Sequence, residues 1–273
     1  MTALRKQQNS GSFVQGCNIQ THIGNQNEKL TQLTLILSAL GMATTAMAEE
    51  SEPNPSDLTE TSTSAYFGLN NQGSLKGSIS GDFNFSDKQT GMLTIEGTMD
   101  RDGHYSDSRL QYFHVFSTAN RVVPRAAVSL DIIDNDMFTS ASLGGVLAIN
   151  PGVEGLQIFP RVGVLAGEYS DASVTAFDAQ DSEAYGVSGA LYMMYTIGKD
   201  GTYIGAWPEY NYLDGDIETS LLKSTVMIAT PFSKDKTRWG QLRIDNTSGY
   251  MKTSQQSLDI DDTVVWANYK FYF

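Results

Sequence analysis

The chain has 273 residues, length for one large domain or two small ones. Only 18% of them are charged, against about 25% in soluble domains, and no run of about 18 apolar residues stands outside the N-terminal region, which argues against membrane helices. The formal net charge of −13 argues against a nucleic-acid partner, which needs a basic face.

Residues 33–42, LTLILSALGM, have the length of a secretory hydrophobic core, with Lys29 as a positive flank. Ala46-Met47-Ala48 follows as the small-x-small pattern of a signal-peptidase site. Residues 1–48 are therefore expected to be an export signal, cleaved after Ala48. Its n-region, 1–29, is long and hydrophilic; an extended leader and a start codon further downstream both fit. The one cysteine, Cys17, lies in this segment and lacks the preceding apolar stretch of a lipidation site. Without it, disulfide, zinc and thiol chemistry drop out. Cleavage takes three basic residues and one acidic residue, leaving 15 and 30, a net charge of −15. The next stretch, EESEPNPSDLTET, is acidic and rich in Pro and Ser, so residues 49–62 are expected to be a disordered periplasmic tail.

From residue 63 to 273, segments of period two bounded by turn signals predict twelve strands. They span 63–70, 74–85, 91–99, 108–118, 122–133, 138–149, 156–169, 184–197, 202–212, 218–230, 237–249 and 262–273. The alternation is clear where Leu75, Gly77, Ile79, Gly81, Phe83 and Phe85 oppose Lys76, Ser78, Ser80, Asp82 and Asn84. Segment 108–118 is ambiguous, because Phe113 and Val115 oppose Tyr112 and Phe116. The expected fold is all-β: a transmembrane antiparallel up-and-down β-barrel of about twelve strands, with ten or fourteen as alternatives and both termini in the periplasm. Its abundant glycine and tyrosine (25 Gly, 13 Tyr) suit this class. Pro124, Pro160 and Pro208 fall inside predicted strands. A closed barrel has no edge for them, so bulges or displaced strand starts are expected there.

The predicted outer loops collect acids, among them Asp100, Asp102, Asp134, Asp136, Asp178, Asp214, Asp245 and Asp259, whereas the inner turns hold Lys88, Arg121, Lys199, Lys234, Lys236 and Arg238. Outer loops, 170–183 and 246–261 in particular, are expected to be longer than inner turns.

The last segment ends Val265-Trp266-Ala267-Asn268-Tyr269-Lys270-Phe271-Tyr272-Phe273, with Phe273, Phe271, Tyr269, Ala267 and Val265 on one face. It resembles the terminal strand of Gram-negative outer-membrane barrels. That resemblance implies an outer-membrane location, with Tyr269, Phe271 and Phe273 serving as the signal for the barrel assembly machinery. It covers about ten residues and names a class rather than one family.

Catalysis finds little support. The segment after the leader has only His104, in an acidic loop, and His114, in a strand, with no nucleophile elbow or His–Ser motif. An Asp102–His104 pair is the one acid–base candidate, and no enzyme is expected. No cofactor signature is present. Asp134-Asn135-Asp136 and Asp259, Asp261 and Asp262 offer oxygen ligands but no EF-hand pattern. The reading there is a solvated rim; divalent cations bridging it to lipopolysaccharide are the alternative, and membrane lipid and lipopolysaccharide are the expected surroundings. No metal site is assigned. Period two turns Lys76, Asp82, Glu96, Arg125, Asp131, Arg161, Glu209, Lys223, Arg243 and Lys270 inward. These six cations and four acids either line a water-filled pore or knit a closed interior with salt bridges. The leading expectation is porin-like passage of small hydrophilic solutes, with anions favoured. A non-conducting barrel acting through acidic loops is the alternative, and a lipid-directed enzyme a weaker third.

Overall fold

Backbone N–H and C=O groups in hydrocarbon must all be paired, and a sheet closed on itself does this without an edge. The computed structural model of the chain describes residues 53–273 and shows such a closed sheet. Its strands are β1 (Ser64–Asn70), β2 (Leu75–Ser86), β3 (Gln89–Met99), β4 (Tyr105–Ser117), β5 (Arg125–Asn135), β6 (Phe138–Ala148), β7 (Leu156–Tyr169), β8 (Glu183–Thr196), β9 (Tyr203–Gly215), β10 (Glu218–Pro231), β11 (Arg238–Lys252) and β12 (Ser257–Tyr272). Each pairs with its sequence neighbours, and β1 closes the barrel antiparallel on β12, with Ser64 opposite Tyr272 and Asn70 opposite Trp266. One short helix, α1 (Asp171–Ala176), interrupts the β7–β8 connection. The expected export signal, Ala46 and Ala48 included, lies outside the described residues.

Thr63 and Phe273 meet at one end of the barrel, where the Phe273 N–H donates to the Thr63 carbonyl at 3.0 Å. This is the terminal end; the other is the far end. Outward residues of the middle zone are aliphatic and exposed: Val128, Leu143, Val162, Val164, Val187, Val226, Leu242 and Ile244. Outward aromatics gather towards the ends. Phe67, Phe232, Tyr269 and Phe271 touch one another near the terminal end, and Tyr185 and Tyr210 stand outside towards the far end. An apolar band flanked by aromatic girdles is the surface a bilayer demands.

The prolines resolve in two ways. Pro124 precedes β5, its carbonyl accepting the Thr118 N–H at 2.8 Å, so the strand begins just past it. Pro160 and Pro208 stay inside β7 and β9, and neither makes a bulge. The β6–β7 ladder stops at Val146–Arg161 and resumes at the Ile149–Ile158 bridge in unchanged register. The β8–β9 ladder likewise skips from Ala190–Glu209 to Met193–Ala206. Each proline lacks an N–H towards one neighbour only. The other neighbour still pairs, as Pro160–Leu191 and Pro208–Ser224. Register shifts lie elsewhere, in β2–β3 and β3–β4.

Loop lengths depart from expectation. The predicted loop 246–261 is mostly strand, closed by a turn in which the Thr253 N–H donates to the Gln256 carbonyl at 2.9 Å. Only the β7–β8 loop is long at the far end, and several terminal-end turns are longer than the remaining far-end ones. Where strands project into water, the outward face turns polar and the lipid-facing alternation vanishes, while the hydrogen-bond ladder continues. Gly249 lies in such a projection with φ of +145°. A Cβ added there would sit 2.0 Å from the Ser220 carbonyl oxygen. Gly249→Ala is expected to cost about 1–3 kcal/mol, from backbone strain and overpacking; unfolding in detergent against urea measures it.

Residues 53–62, the described part of the segment 49–62 whose composition suggests a disordered tail, have local structure. They make two turns, with the Asp57 N–H donating to the Asn54 carbonyl and the Glu60 N–H to the Asp57 carbonyl, both at 3.1 Å. Ser56 and Thr59 are buried. Partners on the barrel wall, which composition does not reveal, hold the segment in place.

Candidate functional site in the barrel interior

The face opposite the lipid-facing aliphatics carries the polar residues, and contacts between strands that are not neighbours show that it turns inward. The Tyr66 hydroxyl on β1 donates to Glu96 on β3. Tyr169 on β7 meets Thr219 on β10 at 2.5 Å between hydroxyl oxygens. Arg161 on β7 donates to Ser142 at 2.9 Å and to Ser129 on β5 at 3.4 Å.

These side chains form a belt of charge inside the barrel. Lys76 Nζ lies 2.7 Å from Glu96 Oε1. Arg109 holds both carboxylate oxygens of Asp131, and the Gln111 amide adds a bond at 3.3 Å. Asp245 gathers Arg243 at 3.1 Å, Lys223 at 3.6 Å and the Thr225 hydroxyl at 2.8 Å. Trp266 packs between two of the cations, with Lys76 Nζ 5.2 Å and Arg243 Cζ 5.7 Å from its ring centroid. Glu209 accepts from the Tyr192 hydroxyl at 3.2 Å and the Asn211 amide at 3.3 Å. Arg161 relies on hydroxyls, and Lys270 sits 4.6 Å from the Tyr272 ring centroid. Asp82 accepts from the Thr63 hydroxyl at 2.6 Å. Arg125 reaches Asp57 at 2.9 Å.

Both mouths are covered. At the terminal end, Val115, Phe159, Met194, Tyr203, Met227 and Trp239 belong to a buried apolar cluster that runs from β4 to β12. Trp239 keeps its indole N–H bonded to the Lys236 carbonyl at 2.6 Å. At the far end, the β7–β8 loop lies over the opening. Ser170 caps α1 by accepting the Ser173 N–H, and Phe177 packs with Tyr169, Ala184, Leu213, Ile217 and Met251. The loop is held by Met137 O, which accepts from the Ser170 N–H at 2.9 Å, and by the Gln256 amide, which donates to Ala176 O at 2.8 Å. The Gln180 and Asp181 amides both donate to Asp216 at 2.9 Å.

Thus the ten residues selected by period two all stand on the polar face, and most are drawn into pairs. Two participants were missed. Arg109 lies in the segment whose two faces are both apolar-rich. Asp245 was placed in an outer loop but is buried in mid-β11. It shares the parity of Arg243, which was the available signal. The histidines lie elsewhere. His104 Nδ1 faces Asp100, not Asp102, at 3.4 Å. His114 is on the outer face, stacked on Phe85 at 5.1 Å between centroids and bonded to the Tyr112 hydroxyl at 3.0 Å. Asp134 is engaged by Tyr105 at 2.7 Å, Asp261 by Asn246 at 3.3 Å and Asp262 by Gln72 at 3.1 Å. The loop carboxyl of Asp100 is held below its usual range, chiefly by the His104 backbone N–H.

No family model matches the chain, and neither does any curated protein. Solved structures do resemble it. The NanC porin aligns with a TM-score of 0.56 at 7% identity, over 77% of this chain and 100% of its own. An outer-membrane channel from Pseudomonas putida F1 aligns at 0.54 and 10% identity, over 82% and 100%. The KdgM porin, in complex with disordered oligogalacturonate, aligns at 0.50 and 12%, over 78% and 99%. At these identities the shared property is the barrel fold.

Proposed function

We propose that the protein is a porin-like channel of the outer membrane, a passive route for small hydrophilic solutes with anions favoured. The observation that carries this reading is Lys223. Its side chain faces the interior and yet is 45% exposed, so open space borders the charged belt. A closed, fully packed interior leaves no such space. The basic groups Lys223 and Arg243 on the adjacent β10 and β11, with Lys76 on β2 across β12 and β1, lie along one stretch of the wall, where they would hold a passing anion weakly enough to release it. The fold likeness to channels accords with this. In this reading the terminal end faces the periplasm, the acidic far end faces lipopolysaccharide, and Tyr269, Phe271 and Phe273 serve barrel assembly.

Lys223→Glu tests the reading. In a planar bilayer under a salt gradient, the reversal potential of this variant should move towards that of the cation. A conducting barrel with unchanged selectivity would refute the interior assignment. The covered mouths favour a second reading, a non-conducting barrel acting through its acidic loops, and an absence of current in every form would select it.

A further inference from the structure

The segment 53–62 starts beside β1 and ends up on the opposite wall. Thr63 is anchored by Asp82 on β2 and by Phe273. A few residues away, Ser56 Oγ lies 3.3 Å from the Thr196 hydroxyl at the end of β8. Asp57 sits 2.9 Å from Arg125 at the start of β5. In a twelve-stranded barrel those strands stand across the lumen from β1, so the segment crosses the terminal mouth rather than hanging from its rim. Its tip is built to present a carboxylate. Asp57 Oδ1 accepts from the Thr59 N–H at 2.9 Å and hydroxyl at 2.6 Å, which leaves Oδ2 aimed at the guanidinium. Arg125 also donates to the Thr59 hydroxyl at 3.2 Å.

We infer that Arg125 is a carboxylate-binding site at the terminal mouth, filled in cis by Asp57, and that residues 53–62 are thereby a tethered plug of the channel. The inference rests on the channel reading. The contact is one ion pair with a partly exposed guanidinium and a handful of hydrogen bonds, the strength of a latch that opens rather than of a fixed core. While docked, the plug sets an acidic group where a permeating anion would first meet a cation.

The Ser56–Thr196 contact gives a direct test. In a Cys17→Ser background, Ser56→Cys/Thr196→Cys places two thiols where the two hydroxyls now touch. The folded, oxidised protein should form the disulfide, seen as a linked peptide by mass spectrometry. Its conductance should be several-fold below that of the same protein after reduction. Asp57→Asn, with native Ser56 and Thr196, should conduct more and be more anion-selective than the parent. A folded barrel that does not form the disulfide overturns the docking. Equal currents before and after reduction overturn the plug and leave the channel reading standing. A disulfide that forms in a barrel carrying no current, reduced or as Asp57→Asn, overturns the channel reading and the gating role with it.

Discussion

Val162→Arg is expected to lower the stability of the membrane-inserted barrel by about 2–4 kcal/mol, the cost of a cation on the lipid face near the bilayer midplane. Val162 lies in the middle of β7, is 70% exposed, and pairs with Gly145 and Gly189 on its two neighbours. In a water-soluble sheet, a site so open would tolerate arginine within about 0.5 kcal/mol. The sign of the environment is thus read from one substitution. Glu168→Lys supplies the depth control, being exposed on the same strand next to the far end; its cost should be about 0–1 kcal/mol. Denaturant titration of folding into lipid vesicles measures both. Equal, negligible effects would mean that the exposed aliphatic band meets water.

Asp131→Ala is expected to cost about 3 kcal/mol. The Asp131 side chain is 5% exposed and receives Arg109 through two bonds and Gln111 through a third. Its removal leaves a cation facing the interior without its partner, and breaking a buried pair costs about 3–5 kcal/mol. The lower figure applies because the Arg109 side chain keeps 34% exposure, so lumen water recovers part of the loss. Arg109→Met combined with Asp131→Leu should recover much of the stability, since the unpaired charge is then gone. The same pair of variants separates structure from conduction. A loss of stability that the double variant restores, with conductance near that of the parent, would make this pair part of the wall's framework.

Strand positions were largely legible in the sequence because hydrocarbon imposes a strict rule on the part of each strand it touches. Predicted 156–169 and observed Leu156–Tyr169 coincide. Predicted 237–249 falls short of Arg238–Lys252, and predicted 262–273 begins five residues after Ser257. The rule lapses outside the bilayer: Ser248, Asp259 and Asp261 stay in register with no apolar outward face to mark them. The same limit explains Arg109, whose segment has apolar residues on both faces because Phe113 packs against the interior cluster while Tyr112 and Phe116 face outward.

By itself the sequence determined the closed antiparallel barrel, because a period of two assigns successive side chains to opposite faces. Tertiary structure alone decided which charges meet, that Asp245 joins Lys223 and Arg243, that the β7–β8 loop covers the far mouth, and that an acidic, Pro-rich segment crosses the terminal one. Those contacts join residues distant in the chain, such as Asp57 with Arg125 and Ser56 with Thr196. Alternation along a strand says which way a side chain points; only barrel closure brings opposite walls within hydrogen-bonding distance.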